Sequence, residues 1–379
     1  MATILLYTGN AGPGIALAAA ATALRSAQHG HRTLLLSLGP PQGLAALLGT
    51  SIGGAASEVA PRLDALAIDG LAELAAEWGR SRQKMPPQIA QVAGDELPLL
   101  PGAEMLFGLL RLGELAPRYA AVVVDAGPHD ALVRALALPD GLRWGVRLLF
   151  GLDRGPGKSP GSVARAALPT SFIPIDAIDR VQELRVQAER LRALVTGTNA
   201  AARFVLRPDR AALAEARVGI AALHLHGVAV PAIVAGPLLP PALDGSAFAA
   251  VQDAVLAEAR AAWPHKPLLR FTLPESDASL APLGAIGEQI EPGAATDHRA
   301  ASPIAETWKG APALAVDLPG LPKGELQLTL SGDELIVRVG PYRRHILLPD
   351  SLRGTSAIRA TREGEQLVVR RRNESERRA

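Results

Sequence analysis

Gly9, Gly12 and Gly14 stand in the run Tyr7-Thr8-Gly9-Asn10-Ala11-Gly12-Pro13-Gly14-Ile15-Ala16, between an apolar stretch and an Ala/Leu-rich one. Glycines at the junction of a strand and a helix frame a phosphate-holding loop, in which backbone N–H groups and the helix N-terminus face the anion. From Gly9 to Ala16 there is no lysine, arginine, serine or threonine, so the chemistry open to the run is anion binding by backbone alone. The structural alternative is that the glycines serve positive φ angles and close packing of helix on strand. A carboxylate stands at a second strand end, where Ala-Ala-Val-Val-Val over 120–124 delivers Asp125 to the edge of a sheet. A third run, Gly155-Pro156-Gly157-Lys158-Ser159, looks like the end of a phosphate loop, but Gly151 is one residue out of spacing. Trp144 to Phe150 before it reads as helix, whereas a phosphate loop follows a strand. A flexible Pro/Gly loop is the reading, with Lys158 able to lend a charge if the loop folds back. His224 and His226 would share a face only in a strand, and with no cysteine and scattered histidines no metal site is expected.

The elements that must position these residues alternate. Residues 2–7 read as a strand, 15–28 as a helix ending at Gly30, and 33–37 as a second strand, a βαβ opening. Arg203–Leu206 reads as a strand, 209–226 as a helix and Val228–Val234 as a further strand, giving α/β architecture around a parallel sheet. The segments 71–115 and 140–195 read as mostly helical insertions, interrupted at Pro86, Pro87, Pro98 and Pro101. Residues 287–308 have no periodicity and read as a linker. Beyond it, Leu314, Val316 and Leu318, then Leu326, Leu328 and Leu330, then Leu335, Val337 and Val339 alternate, which predicts a small antiparallel β-sandwich of six or seven strands.

Composition excludes more than it proposes. The 379 residues are 48% hydrophobic and 3% aromatic, with a formal charge of +2, so the core is aliphatic and no electrostatic footprint for nucleic acid is present. The arginines 370–372, 377 and 378 read as a solvated terminus. The absence of cysteine excludes disulfides and thiolate chemistry and fits the cytoplasm. No uninterrupted apolar run long enough for a membrane span lies outside the Ala-rich segment at 15–24, so an integral membrane protein is not expected.

Over residues 2–287 the chain resembles the arsenite-pump and tail-anchored-protein-targeting ATPases, whose deviant Walker A loop is T-G-K-G-G-V-G-K-T. The glycines fall in register, as do Glu58-Val59-Ala60-Pro61 with Ala67-Ile68-Asp69, Leu100-Pro101-Gly102-Ala103-Glu104 and Val122 to Pro128. The resemblance implies a P-loop NTPase-like α/β domain over 1–287 with helical insertions, and it assigns the losses. Asn10 stands at the signature lysine, Ile15 at the second lysine, Ala16 at the magnesium-binding hydroxyl, Gly39 at the water-positioning carboxylate and Ala235 at the adenine-contacting asparagine. If each such group contributes about 3 kcal/mol to phosphoryl transfer, the combined loss is many powers of ten in rate. Gly9, Asn10, Gly12, Gly14, Asp125 and Pro128 are then a vestigial nucleotide or anion site. Asp125 is the switch carboxylate that persists, no catalytic residue is assigned, and neither ATP nor magnesium is expected as a cofactor, although both stay open.

The family resemblance also implies a homodimer, and an apolar groove for hydrophobic polypeptide clients that here would use Met105, Leu106, Leu109 and Leu110. The alternative reading of that stripe, and of Leu142, Val146, Leu148 and Leu149, is core packing. Residues 314–370 look like the α-crystallin domain of small heat-shock proteins, on Val316-Asp317-Leu318-Pro319-Gly320-Leu321 and Arg343-Arg344-His345-Ile346-Leu347-Leu348-Pro349. The expected organisation is 1–287, a linker 288–308, a sandwich 309–372 and a tail 373–379. The expected function is a non-hydrolysing, protein-binding or chaperone-like homodimer. The alternatives are an ATPase with an unorthodox site using Asp125 and Lys158, or a structural partner for a catalytic paralogue.

Overall fold

A computed structural model describes residues 2–39, 41–84, 87–99, 102–150, 175–272, 280–291, 300–354 and 358–372. Its first compact unit comprises Met1–Ala135, Thr198–Ala216 and Val230–Ala300. There β1 (Thr3–Gly9) leads into α1 (Pro13–Gln28) and β2 (Thr33–Ser37), then α2 (Pro41–Leu48) and the pair β3 (Ser57–Ala60) and β4 (Leu63–Ala67). Three helices follow, α3 (Gly70–Ser81), α4 (Pro87–Ala90) and α5 (Ala103–Leu115), and then β5 (Ala121–Pro128). The helices α6 (His129–Phe150) and α7 (Ile175–Thr196) precede β6 (Ala200–Leu206), α8 (Arg210–Leu225), β7 (Ala232–Leu238), α9 (Ala247–Ala262), β8 (Leu268–Thr272) and α10 (Leu280–Ile290).

The eight strands form one sheet in the order β3-β4-β2-β5-β1-β6-β7-β8, parallel throughout except for the antiparallel β3–β4 pair. β1 and β5 read as apolar runs because both of their faces are covered: Leu5, Leu6, Val122 and Val124 are all buried. Ala18 to Ala21 of α1 are fully buried, and a Cβ at Gly287 of α10 would stand 2.9 Å from the Ala21 carbonyl oxygen. The alanine composition therefore reflects helices packed closely on each other and on the sheet.

Three expectations need correction here. The strand expected at Val228–Val234 begins at Ala232, because Val228 and Val230 are buried without joining the ladder and Pro231 has no N–H to offer it. The hairpin β3–β4 and the strand β8 were not read as strands at all; they lie at the sheet's two ends and lack a clean alternation. The expected linker 288–308 is not uniformly irregular: α10 runs to Ile290, and Ile304–Trp308 is a strand.

The second compact unit comprises Leu136–Gly197, Arg217–Ala229 and Ala301–Ala379, so the second helical insertion is grouped with the C-terminal strands. Those strands are β9 (Ile304–Trp308), β10 (Ala311–Asp317), β11 (Leu326–Ser331), β12 (Glu334–Val339), β13 (Tyr342–Leu347), β14 (Ile358–Glu363) and β15 (Gln366–Arg371). They form two antiparallel sheets, β14-β15-β10-β9 and β11-β12-β13. Leu314, Val316, Leu335, Val337, Val339, Leu367 and Val369 fill one core with Ala221 and Leu225 of α8. Leu328 and Leu330 pair with Val337 and Leu335 yet stay 37% and 42% exposed, because β11 is an edge strand. No helix among the described residues is long and apolar enough to cross a membrane.

A polar cluster explains that grouping. Asp140 of α6 is buried, with Arg192 Nη1 at 3.2 Å, Arg143 Nη2 at 3.7 Å and Arg344 Nε at 3.9 Å. Arg143 also reaches Glu334 of β12 at 3.3 Å and donates to the His345 carbonyl at 2.9 Å. Burial, with Arg192 alongside, lowers the Arg344 guanidinium to about 10. His226 is fully buried beside this cluster, and neither ring nitrogen has a hydrogen-bond partner among the described residues. Burial first, then Arg344 and Arg192, hold its imidazole well below the usual range.

An unfolded chain takes up a proton at this histidine near pH 6.5 while the folded chain does not, so stability is fully present above that pH and falls as pH drops below it. Comparing urea unfolding of the parent and His226→Leu from pH 8 to 4, we expect the difference in unfolding free energy to grow in the variant's favour by up to about 1.4 kcal/mol per pH unit below pH 6.5.

Candidate functional site

β1 ends in the middle of the sheet, between β5 and β6, and its last residues carry the loop into α1. Gly9 lies so close to β6 that a Cβ there would stand 2.1 Å from the Val205 carbonyl oxygen. Gly12 has φ 56° and open space around it, so its requirement is conformational.

Asn10 is tied to the segment that joins β6 to α8. Its N–H donates to the Val205 carbonyl at 3.1 Å, its Nδ2 donates to the Ala212 carbonyl at 2.7 Å, and its Oδ1 accepts the Arg207 N–H at 3.2 Å. Nδ2 also reaches Glu215 Oε2 at 3.3 Å. An asparagine amide has two donors and one carbonyl acceptor, and here all are used within the chain.

Two further backbone donors of the loop are engaged as well. Gly14 N–H donates to Ala11 O at 3.1 Å and Ile15 N–H to Gly12 O at 3.0 Å, while Pro13 has no N–H. The Ile15 side chain is 2% exposed and packs in the core, so it does not cover the loop. Ala16 is half-buried. A Cβ at Gly14 would stand 2.7 Å from Pro237 Cδ, which places the segment after Ala235 directly on the start of α1. Ala235 itself is fully buried in β7.

The other rim comes from β2 and β5. Asp125 is 8% exposed; its carboxylate accepts from Ser37 Oγ at 3.2 Å and from the Gly127 N–H at 3.2 Å. Burial raises its carboxyl, against the lowering effect of those two donors. Thr8 Oγ1 donates to the Gly127 carbonyl at 2.8 Å. His129, 1% exposed, places Nδ1 3.2 Å from the Gly9 carbonyl and its ring 5.3 Å from that of Phe204. Pro128 is exposed, and Gly39 donates its N–H to Ser37 Oγ at 3.2 Å.

Gly9, Asn10, Gly12, Gly14 and Asp125 thus gather at the C-terminal ends of the neighbouring central strands β1 and β5. The clamps on them were not read from the sequence: Thr8, His129, Arg207, Ala212 and Glu215. Only His129, four residues beyond Asp125, carried a signal, because it follows the switch-like run. Among the described residues, no group of three or more His, Asp or Glu could hold a metal. A magnesium-bound triphosphate needs donors, a cation and a metal-holding hydroxyl; from Gly9 to Ala16 no side chain carries a positive charge or a hydroxyl. Lys158 and its loop lie outside the described residues. Of the apolar stripe on α5, Met105 and Leu109 are 5% and 1% exposed and belong to the core, Leu106 is half-buried, and Leu110 is 38% exposed.

The sequence matches the family described as "Anion-transporting ATPase" over residues 2–276 and the "HSP20-like domain found in ArsA" over 309–370. It is 27% identical over 378 residues to the "Putative arsenical pump-driving ATPase" of Chlorobaculum tepidum, spanning 93% of this chain and 91% of that one. To "Uncharacterized protein SCO2128" of Streptomyces coelicolor it is 30% identical over 390 residues, spanning 97% and 96%. To "Protein Rv2184c" of Mycobacterium tuberculosis it is 28% identical over 434 residues, spanning 97% and 96%.

Proposed function

Because the chain belongs to the anion-transporting ATPase family, we propose that it is a member that does not hydrolyse ATP and acts as a protein-binding, chaperone-like homodimer. The observation that carries this reading is the saturation of Asn10 by Val205, Ala212 and Arg207. A family site that works by positioned charge here holds an amide turned inward onto its own fold. Phosphoryl transfer draws its rate from positive charge and metal at the transferring group, and the neutral loop offers neither.

The protein-binding half of the reading draws on exposed apolar side chains at element edges: Leu110 on α5, and Leu328 and Leu330 on the edge strand β11. An edge strand with unpaired backbone groups can accept an extended segment.

Titration calorimetry of the full chain with ATP and magnesium, paired with a phosphate-release assay, tests the nucleotide half. The expected result is no binding at micromolar concentration and no release above background. Micromolar binding would overturn it and turn attention to Asp125 as the carboxylate of an ATP-handling site.

A further inference from the structure

His226 follows α8 directly, at a junction inside the second unit. A Cβ on the next residue, Gly227, would lie 3.3 Å from Thr196 Cγ2 at the end of α7 and 3.9 Å from Arg344 Nη1 of β13. Arg344 Nη1 donates to the Leu225 carbonyl at the end of α8, and Arg344 Nε lies 3.9 Å from Asp140 of α6. Among the described residues the ion pairs around this junction balance, with Arg143, Arg192 and Arg344 set against Asp140, Glu189 and Glu334. His345 faces Glu334 at 3.7 Å, and His224 faces Asp317 of β10 at 3.1 Å. The cluster is therefore neutral while His226 is uncharged. An imidazolium there would be a fourth cation against three carboxylates, with two N–H donors instead of one and no acceptor for either among the described residues. A buried charge of that kind is costly unless it is paired.

The two sides of the junction are held differently. α8 sends Ala221 and Leu225 into the apolar core of the sandwich. α6 is tied to β12 and β13 by polar contacts: Arg143 reaches Glu334 at 3.3 Å and donates to the His345 carbonyl at 2.9 Å, and Asp140 faces Arg344. An added charge weakens the polar side first. We propose that the junction is an acid-sensitive latch, in which a proton on His226 frees α6 and α7 from the end of α8 and from β12 and β13 while the sandwich core and the parallel sheet stay folded. Release uncovers Leu136 of α6 and Val195 of α7, which are 1% and 0% exposed when the latch is closed. The other two histidines act in the opposite sense. A proton on His224 or His345 sets a cation against Asp317 or Glu334 and tightens the closed form, so opening in acid is the mark of His226.

Amide hydrogen exchange of the full chain under native conditions, from about pH 7.5 to about pH 5 and corrected for the intrinsic rate at each pH, tests this. With the latch open, His226 titrates at about pH 6.5; with it closed, burial and then Arg344 and Arg192 hold the ring neutral well below that. The opening constant read at amides of α6 and α7 is therefore expected to rise about tenfold for each pH unit below 6.5. Amides of β1, β5 and β12 are expected to show no such rise. His226→Leu and His226→Gln remove the titrating group, and either one, if it folds, is expected to flatten the profile at α6 and α7. No rise in the parent overturns the latch. So does an equal rise in β1 and β5, which would be global unfolding, or a slope that survives a substitution. Should neither variant fold, the ring resonances of His226 in the parent decide: a ring still neutral at pH 5 supports the latch, and one that titrates at 6.5 or above overturns it.

Discussion

Glu291→Ala is expected to lower the unfolding free energy by about 3–5 kcal/mol, the cost of leaving a buried charge without its partner. Glu291 is 4% exposed, just past the end of α10, and it forms an ion pair with Arg203, 6% exposed, on β6. Arg203 Nη1 also donates to Tyr7 Oη at 2.8 Å, and Tyr7 Oη lies 2.6 Å from Thr22 Oγ1 of α1. One polar chain thus ties α10, β6, β1 and α1 together beneath the strand that carries the loop. Truncating Glu291 leaves the buried guanidinium with the Tyr7 hydroxyl but without its counter-charge. Burial already pushes the Glu291 carboxyl up against the lowering pull of Arg203, so the pair is expensive to bury even when intact. The double variant Arg203→Met with Glu291→Leu should therefore recover most of the loss, since apolar replacement of a whole buried pair is near neutral. Urea unfolding of the parent, the single and the double variant checks both statements. A single variant within about 1 kcal/mol of the parent, the size of an exposed pair, would mean the pair is solvated.

The parts legible in the sequence are those whose physics is local. β1, α1 and β5 could be read because both-face burial writes a continuous apolar run and because Gly9, Gly12 and Gly14 punctuate the turn. The alternation of Leu335, Val337 and Val339 likewise marked the sandwich core. What was not legible depends on partners far along the chain. Asn10 could be seen as a missing lysine, but its bond to Ala212, 202 residues away, has no signature in either residue type. Met105, Leu106, Leu109 and Leu110 have the same helical spacing whether they line a groove or a core, and only burial divides them. Val228 and Val230 look like strand because they are buried, yet the hydrogen-bond ladder starts two residues after Val230. Burial and pairing are separate conditions, and apolarity reports only the first. β9 is the converse, a strand held by its pairing with β10 with little apolar pattern of its own.

Gly9→Ala is the sharper probe of the loop, with an expected cost of about 3 kcal/mol or more from overpacking and lost hydrogen bonds. The new methyl would lie 2.1, 2.7 and 2.9 Å from the carbonyl oxygen, nitrogen and carbonyl carbon of Val205, all main-chain atoms that cannot rotate away. Relief requires the end of β1 to move off β6, and that motion breaks the Asn10 N–H to Val205 bond first, because it springs from the same contact. Gly12→Ala makes the control. Nothing lies within 4 Å of its Cβ position, so only its backbone conformation, φ 56° with ψ −124°, is penalised, at about 1–3 kcal/mol. Thermal or urea unfolding of the two variants should rank Gly9→Ala well below Gly12→Ala. Equal, small losses would mean that the loop parts from β6 at little cost. A loop that opens so cheaply could turn Asn10 and its N–H groups outward, and the case against a bound phosphate would lose its structural basis. A large gap between the two would instead mean that the geometry which closes the loop is held by the backbone of the sheet itself. Lysines placed at Asn10 and Ile15 would then not rebuild an ATPase by charge alone, since Ile15 is buried in the core and Asn10 is held on β6.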